Sequence, residues 1–176
     1  MPGSALRPVL FLDVDGPLIP FGGSPIPHGG GYPSFAPAPD TSAPDTNPLL
    51  ARLDPVHGPK LLSLPCELVW ATTWMKEANE CVAPRLGLPD LPLLPWPEPS
   101  EEDERDARRG LHWKTRPILD RAAGRPFVWV DDEISERDRV HVAAHHGAPA
   151  LLHRVDPRLG LTDADYRVLG DWLRGL

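Results

Sequence analysis

Three short apolar runs constrain this chain more than any other feature: PVLFLDV at 8–14, CELVWATT at 66–73 and PFVWVDDE at 126–133. Each is nearly continuous rather than alternating, which is the pattern of a strand covered on both faces. Each also stops at polar, chemically capable side chains: Asp13 and Asp15, Thr72 and Thr73, Asp131 and Asp132. Helical patterns separate the runs. NPLLARLDP reads as a short helix with Asn47 as N-cap and Pro48 at its first position. WMKEANECVAPRL has helical spacing through Met75, Ala78, Val82 and Leu86, with Gly87 as its stop. KTRPILDRAAG at 114–124 and ERDRVHVAAHHG give two more helices, PALLHRVDP a fourth strand, and LTDADYRVLGDWLRGL a terminal helix capped by Thr162. Strands and helices alternating in this order predict an α/β fold around a central, mostly parallel sheet.

The 176 residues suit a single domain spanning 1–176, with a core that needs no disulfides. Cys66 and Cys81 form no CxxC unit and read as free thiols. Eighteen Lys plus Arg against 25 Asp plus Glu give a formal charge of -7, so no global attraction for nucleic acid is expected, although a local basic groove stays open. MPGSALRP lacks a signal-peptide apolar core and no 18-residue apolar run occurs, so the expectation is a soluble cytoplasmic protein without a membrane partner. Many of the 24 prolines crowd residues 17–60, a Pro/Gly-rich insertion that resists regular structure and reads as a small cap, a cover loop or a mobile segment. The acidic and basic run EEDERDARRG reads as solvated surface, and LPDLPLLPWPEPS suits neither a regular helix nor a central strand.

In open parallel sheets the carboxyl ends of the strands line the reactive crevice, so the three polar run ends form one candidate site. On a continuous strand Asp13 and Asp15 would face the same side. A turn at Val14 and Asp15, permitted by Gly16, lets Asp13 point at a substrate and Asp15 reach the leaving-group side. Carboxylates of Asp13 and Asp132 would repel unless a cation lay between them, and a hard, oxygen-seeking ion such as Mg²⁺ meets that need.

These residues resemble the motifs of the haloacid dehalogenase-like (HAD) superfamily. LFLDVDGPL matches the first signature, LVWATTW the second, the lysine of HWKT the third and FVWVDDE the fourth, in the family's order. The resemblance implies a Rossmann-like fold with a minimal or loop-like cap, and phosphoryl transfer through an aspartyl-phosphate. It makes Asp13 the nucleophile and Asp15 the general acid and base, whose backbone carbonyl joins the metal shell. Thr72 becomes the phosphate-holding hydroxyl, with Thr73 as the registry alternative, and Lys114 the charge-stabilising lysine. Asp132 is then the direct Mg²⁺ ligand, with Asp131 behind it or sharing the site, and Glu136 either supports metal waters or forms a helix-surface salt bridge. An acid at the Asp15 position implies a phosphatase, a phosphoric monoester hydrolase, rather than a dehalogenase.

WATTWMKEAN is similar to a group of small HAD domains that includes members associated with RNA-repair proteins. That likeness implies a nucleotide or related small phosphate ester as substrate. Two alternatives stay open: an end phosphatase acting on a polynucleotide, and a catalytically weak HAD-derived binding domain. Trp74, Trp96 and Trp113 are candidate stacking faces for a base, and Arg105, Arg108 and Arg109 candidate phosphate contacts. His28, His57, His112, His141, His145 and His146 contain no HExxH pattern, so packing outweighs zinc ligation; His112 is weighed as a substrate contact because it lies close to Lys114. The oligomeric state is not specified by these patterns.

Overall fold

The computed structural model describes residues 7–23, 31–36, 47–96 and 98–176. Four parallel strands form one sheet: β1 (Val9–Leu12), β2 (Glu67–Trp70), β3 (Phe127–Asp131) and β4 (Ala150–Arg154), in the spatial order β2-β1-β3-β4. Leu12 lies beside Trp70 on one side and Val130 on the other, so the first three strands end level with one another.

Alternate residues of each strand serve opposite faces, which is why these runs lack a polar side. Leu10, Leu12, Leu68, Trp70, Val128 and Val130 join one buried cluster with Leu61 of helix α1 (His57–Leu62), Leu86 of α2 (Ala83–Leu86), and Leu169 and Leu173 of α6 (Asp163–Arg174). Val9, Phe11, Val69, Phe127 and Trp129 join a second cluster with Ile118 and Ala122 of α4 (Thr115–Ala122) and Val142 of α5 (Glu136–His145). The result is a sheet between two helical layers, the α/β architecture the alternation predicts.

Several local expectations hold. Asn47 caps a 3-10 helix over Pro48–Arg52 through the Leu49 N–H. Gly87 ends α2 at φ 68°, in the left-handed region. Thr162 caps α6. The helix expected from Trp74 onward is different: it begins as a π-helical turn over Ala78–Val82 and becomes α-helical only at Ala83. Pro84 explains the change, because it donates no N–H to a carbonyl one turn back and its ring crowds that turn unless the helix widens first.

EEDERDARRG, read as solvated surface, contains helix α3 (Glu101–Arg108), with Asp106 buried and paired to Arg116 of α4. Within the Pro/Gly-rich stretch, residues 24–30 and 37–46 lie outside the described residues. Its last part is scaffold, since Leu50 and Leu53 are buried in the core and Gly58 packs so closely on α2 that a Cβ there would run into the Leu86 carbonyl. Cys66 is a buried free thiol, pushed up to about 12 by burial, and Cys81 is half-buried and free. Among the described residues no helix is long and apolar enough to cross a membrane.

Candidate active site

The connection leaving β1 runs to β2 on one side, whereas that leaving β3 runs to β4 on the other. Opposed connections open a crevice at the carboxyl ends of β1 and β3, where an open α/β sheet binds its ligand. Asp13, Asp15, Lys114 and Asp132 line a pocket of about 230 Å³ there, together with Phe21, Thr73, Trp113 and Glu133.

Immediately after β1 the chain makes the expected turn: the Leu18 and Ile19 N–H groups both donate to the Val14 carbonyl, and Asp15 bridges to Ile19. Gly16 is obligatory in this turn. Its φ is 90°, and a Cβ would lie 2.7 Å from the Asp132 carboxyl carbon. The Val14 N–H donates to Asp13 Oδ1 at 2.7 Å, which fixes that carboxylate at the pocket floor.

Lys114 is the electrostatic centre. Its ammonium lies 2.8 Å from Asp13 Oδ2 and 2.6 Å from Asp131 Oδ2, with all three side chains buried. Burial works against the ammonium, yet the two carboxylates hold its pKa above that of an ordinary lysine. Burial, reinforced by Asp131, pushes Asp13 above the usual carboxylate range while Lys114 draws it back. Asp131 is saturated: Oδ2 also accepts from the Trp129 indole at 3.1 Å, and Oδ1 accepts the Glu133 N–H at 3.0 Å. At Asp132 its own backbone N–H and the Lys114 charge offset only part of the cost, and burial together with the neighbouring Asp131 raises its pKa to about 6.

Asp13, Asp131 and Asp132 each bring a carboxylate oxygen within 4.8 Å of the others. Oxygen donors at this spacing, with one undercompensated buried acid among them, suit a hard divalent cation. For such an ion Asp132 and Asp13 would be the better ligands and Asp131 the support, because its oxygens already serve Lys114, Trp129 and Glu133.

The two threonines divide their duties. Thr73 is on the pocket wall, whereas Thr72 is buried and accepts the Trp74 N–H at 3.3 Å, leaving its hydroxyl proton to donate elsewhere. Of the tryptophans, Trp113 lines the pocket, Trp96 packs against the Trp113 ring, and the Trp74 indole donates to Asp15 Oδ2 at 3.0 Å. Arg105 and Arg108 lie on α3 in exposed pairs with Glu101 and Glu104, and Arg109 lines a separate groove with Arg137 and His141; none of the three reaches the pocket. Glu136 opens α5, is exposed and pairs with Arg139, which is the salt-bridge alternative.

His112 accepts the Lys114 N–H at Nδ1, so Nε2 carries the proton toward Glu133, 3.2 Å away. It braces the lysine's turn from behind the pocket wall. His57 bonds Tyr166, His141 stacks on His145, and His146 meets the Arg125 carbonyl; His28 lies outside the described residues.

Sequence reasoning missed Asp138. It is fully buried and accepts from the His112 N–H and the Thr115 hydroxyl at one oxygen, and from Ser135 at the other. These bonds tie the turn carrying Lys114 to the start of α5. The signal was present as the Ser-x-x-Asp spacing of Ser135 and Asp138, a capping-box pattern.

No solved structure matches this chain. A family model described as "HAD domain in Swiss Army Knife RNA repair proteins" matches residues 9–166, from the first residue of β1 into α6. Covering every strand and every acid and lysine of the crevice, that match establishes that the chain belongs to the family of HAD domains found in Swiss Army Knife RNA repair proteins, within a superfamily of phosphatase-type function.

Proposed function

We propose that the chain hydrolyses phosphate monoesters through an aspartyl-phosphate on Asp13. The observation that carries this reading is the buried Lys114 ammonium between Asp13 and Asp131, at 2.8 and 2.6 Å, beneath a pocket that also contains Asp15 and Asp132. A phosphate dianion approaching a carboxylate needs positive charge on both partners. Lys114 supplies one such charge. Asp13, Asp132 and the Asp15 backbone carbonyl, with Asp131 behind, would hold a Mg²⁺ ion, which would supply the other by neutralising phosphate and nucleophile oxygens.

In the first half-reaction Asp13 forms a bond to phosphorus as the ester P–O bond breaks, and Asp15 gives its proton to the departing alkoxide. In the second, Asp15 takes a proton from water as that water attacks phosphorus, releasing inorganic phosphate and restoring Asp13. The hydroxyls at the end of β2 orient the phosphate oxygens, with Thr73 on the pocket wall and Thr72 bracing the turn.

Phe21 and Trp113, 41% and 38% exposed, flank the same pocket, which supports a substrate with a planar group such as a nucleotide base. A terminal phosphate on RNA is the second reading, favoured by the occurrence of this family in RNA repair proteins.

Purified protein is expected to release phosphate from nucleoside monophosphates only with Mg²⁺, and Asp13→Asn to reduce turnover by roughly a thousandfold or more. Full activity in that variant would overturn the covalent route. Oligonucleotides phosphorylated at the 3′ or the 5′ end, compared with mononucleotides, separate the two substrates. Mg²⁺ binding without release from any of them would identify a binding domain instead.

A further inference from the structure

Proton transfer by Asp15 requires one of its carboxyl oxygens to face the departing group with the proton on it. Asp15 belongs to no strand, and a carboxyl group on a turn is free to rotate. Its side-chain partner among the described residues is Trp74, whose indole N–H donates to Oδ2 at 3.0 Å. An indole only donates, and the carbonyl-type oxygen of a protonated carboxyl is a better acceptor than its hydroxyl oxygen, so an Asp15 that keeps this bond while protonated favours Oδ1 for its proton. The bond thus orients the carboxyl group and biases the acidic proton to the oxygen that faces away from the indole.

Trp74 is itself held in several ways. Its backbone N–H donates to the Thr72 hydroxyl oxygen at 3.3 Å, and its carbonyl accepts the Glu77 N–H at 3.0 Å. Its ring packs against the core cluster beneath β1 and β2. Met75, the next residue, has a φ of 51°, a left-handed conformation that is costly for an unbranched side chain and is retained only where surrounding structure imposes it. The turn after β2 therefore bends sharply and presents the indole to Asp15, linking the threonine that braces this turn with the acid expected to meet the leaving group.

We propose that Trp74 is the positioning residue for leaving-group protonation, a role that rests on the phosphatase reading above. It acts on esters whose alcohols leave poorly and need a proton in the transition state. Esters such as p-nitrophenyl phosphate, whose leaving group is stable as an anion, depend on it far less.

The experiment compares kcat/KM of the full chain across a series of phosphate monoesters, from p-nitrophenyl phosphate to glycerol phosphate, in the presence of Mg²⁺. Trp74→Phe keeps an aromatic ring and removes the N–H. Its loss on glycerol phosphate is expected to exceed its loss on p-nitrophenyl phosphate by roughly tenfold to a hundredfold, so that rate falls more steeply with leaving-group basicity. Asp15→Asn is expected to steepen the same dependence, and Trp74→Phe to steepen it no further when added to Asp15→Asn, because the two act as one unit.

An equal loss on every ester, or additive losses in the double variant, would overturn the proposal. Replacing Trp74 by its benzothiophene isostere preserves the bicyclic shape and decides the matter if the phenylalanine variant does not fold. The unaltered chain and Asp13→Asn keep the two readings separate: no phosphate release by the unaltered chain from any ester overturns the phosphatase reading and full activity of Asp13→Asn its covalent route, whereas an active chain, an inactive Asp13→Asn and a flat leaving-group response for Trp74→Phe overturn the role of Trp74 alone.

Discussion

Among the described residues three helices begin with the same local device, and only one of those beginnings belongs to the candidate site. Ser100 with Asp103 heads α3, Ser135 with Asp138 heads α5, and Thr162 with Asp165 heads α6; in each the hydroxyl accepts the N–H three residues on and the carboxylate accepts the cap's own N–H. Asp103 serves its own cap. Asp165 adds His153 at 2.7 Å. Asp138 is fully buried and adds the His112 N–H and the Thr115 hydroxyl on either side of Lys114. One motif has become a surface cap, a tertiary tie and an anchor for the site, according to what the fold brings to its free oxygen.

Removing each carboxylate turns this comparison into a ranking. Asp138→Ala strands a half-buried N–H and a buried hydroxyl, so unfolding by urea is expected to show a loss of about 3 kcal/mol. Displacement of the Lys114 turn should also lower phosphate release roughly tenfold or more.

The Asp138 contribution depends on pH in a defined direction. Burial alone would raise its pKa, but hydrogen bonds from Ser135, Thr115 and His112 outweigh burial and hold it below the ordinary value. The stabilisation is therefore fully present above the unfolded pKa of about 3.9 and is lost as pH falls through the folded one. The difference in urea midpoint between the wild type and Asp138→Asn should be constant at neutral pH and shrink only below about pH 4.

Asp165→Ala is expected to cost about 1 kcal/mol, as a half-buried cap with one added partner, and to leave phosphate release unchanged. Asp103→Ala should give the smallest loss of the three, again with unchanged release. A loss in Asp103→Ala as large as that in Asp138→Ala would break the comparison, because local capping alone would then account for all three sites.

The capping pairs also show how far a sequence can be read. Thr162 was legible as a cap because it precedes an amphipathic run, and Asn47 because Pro48 follows it. Ser100 was not, because the charged run after it carries no apolar stripe to mark a helix; α3 is held by its cap and by Asp106 pairing with Arg116. The helix after β2 was legible in its apolar spacing but not in its π-helical start, since periodicity does not register the demand Pro84 makes on the turn before it. Within the site, Asp13, Asp15, Lys114, Asp131 and Asp132 were legible because each follows an apolar run or stands at a motif position. Trp74 was noticed as an aromatic face, whereas its decisive atom is the indole N–H, whose target lies 59 residues away.

By itself the sequence determined the kind of fold and the inventory of candidate reacting groups. Continuous apolar runs require a sheet covered on both faces, and acids placed just beyond those runs must emerge at its carboxyl edge. Tertiary structure alone decided that β1 lies between β2 and β3, and so opened the crevice where Asp13 meets Lys114 and Asp131. It also decided which of three alike caps is buried and which oxygen of Asp15 is occupied. The physical reason is range: helix caps and strand ends depend on groups a few residues apart, whereas strand order and the burial of a charge depend on the packing of the whole chain.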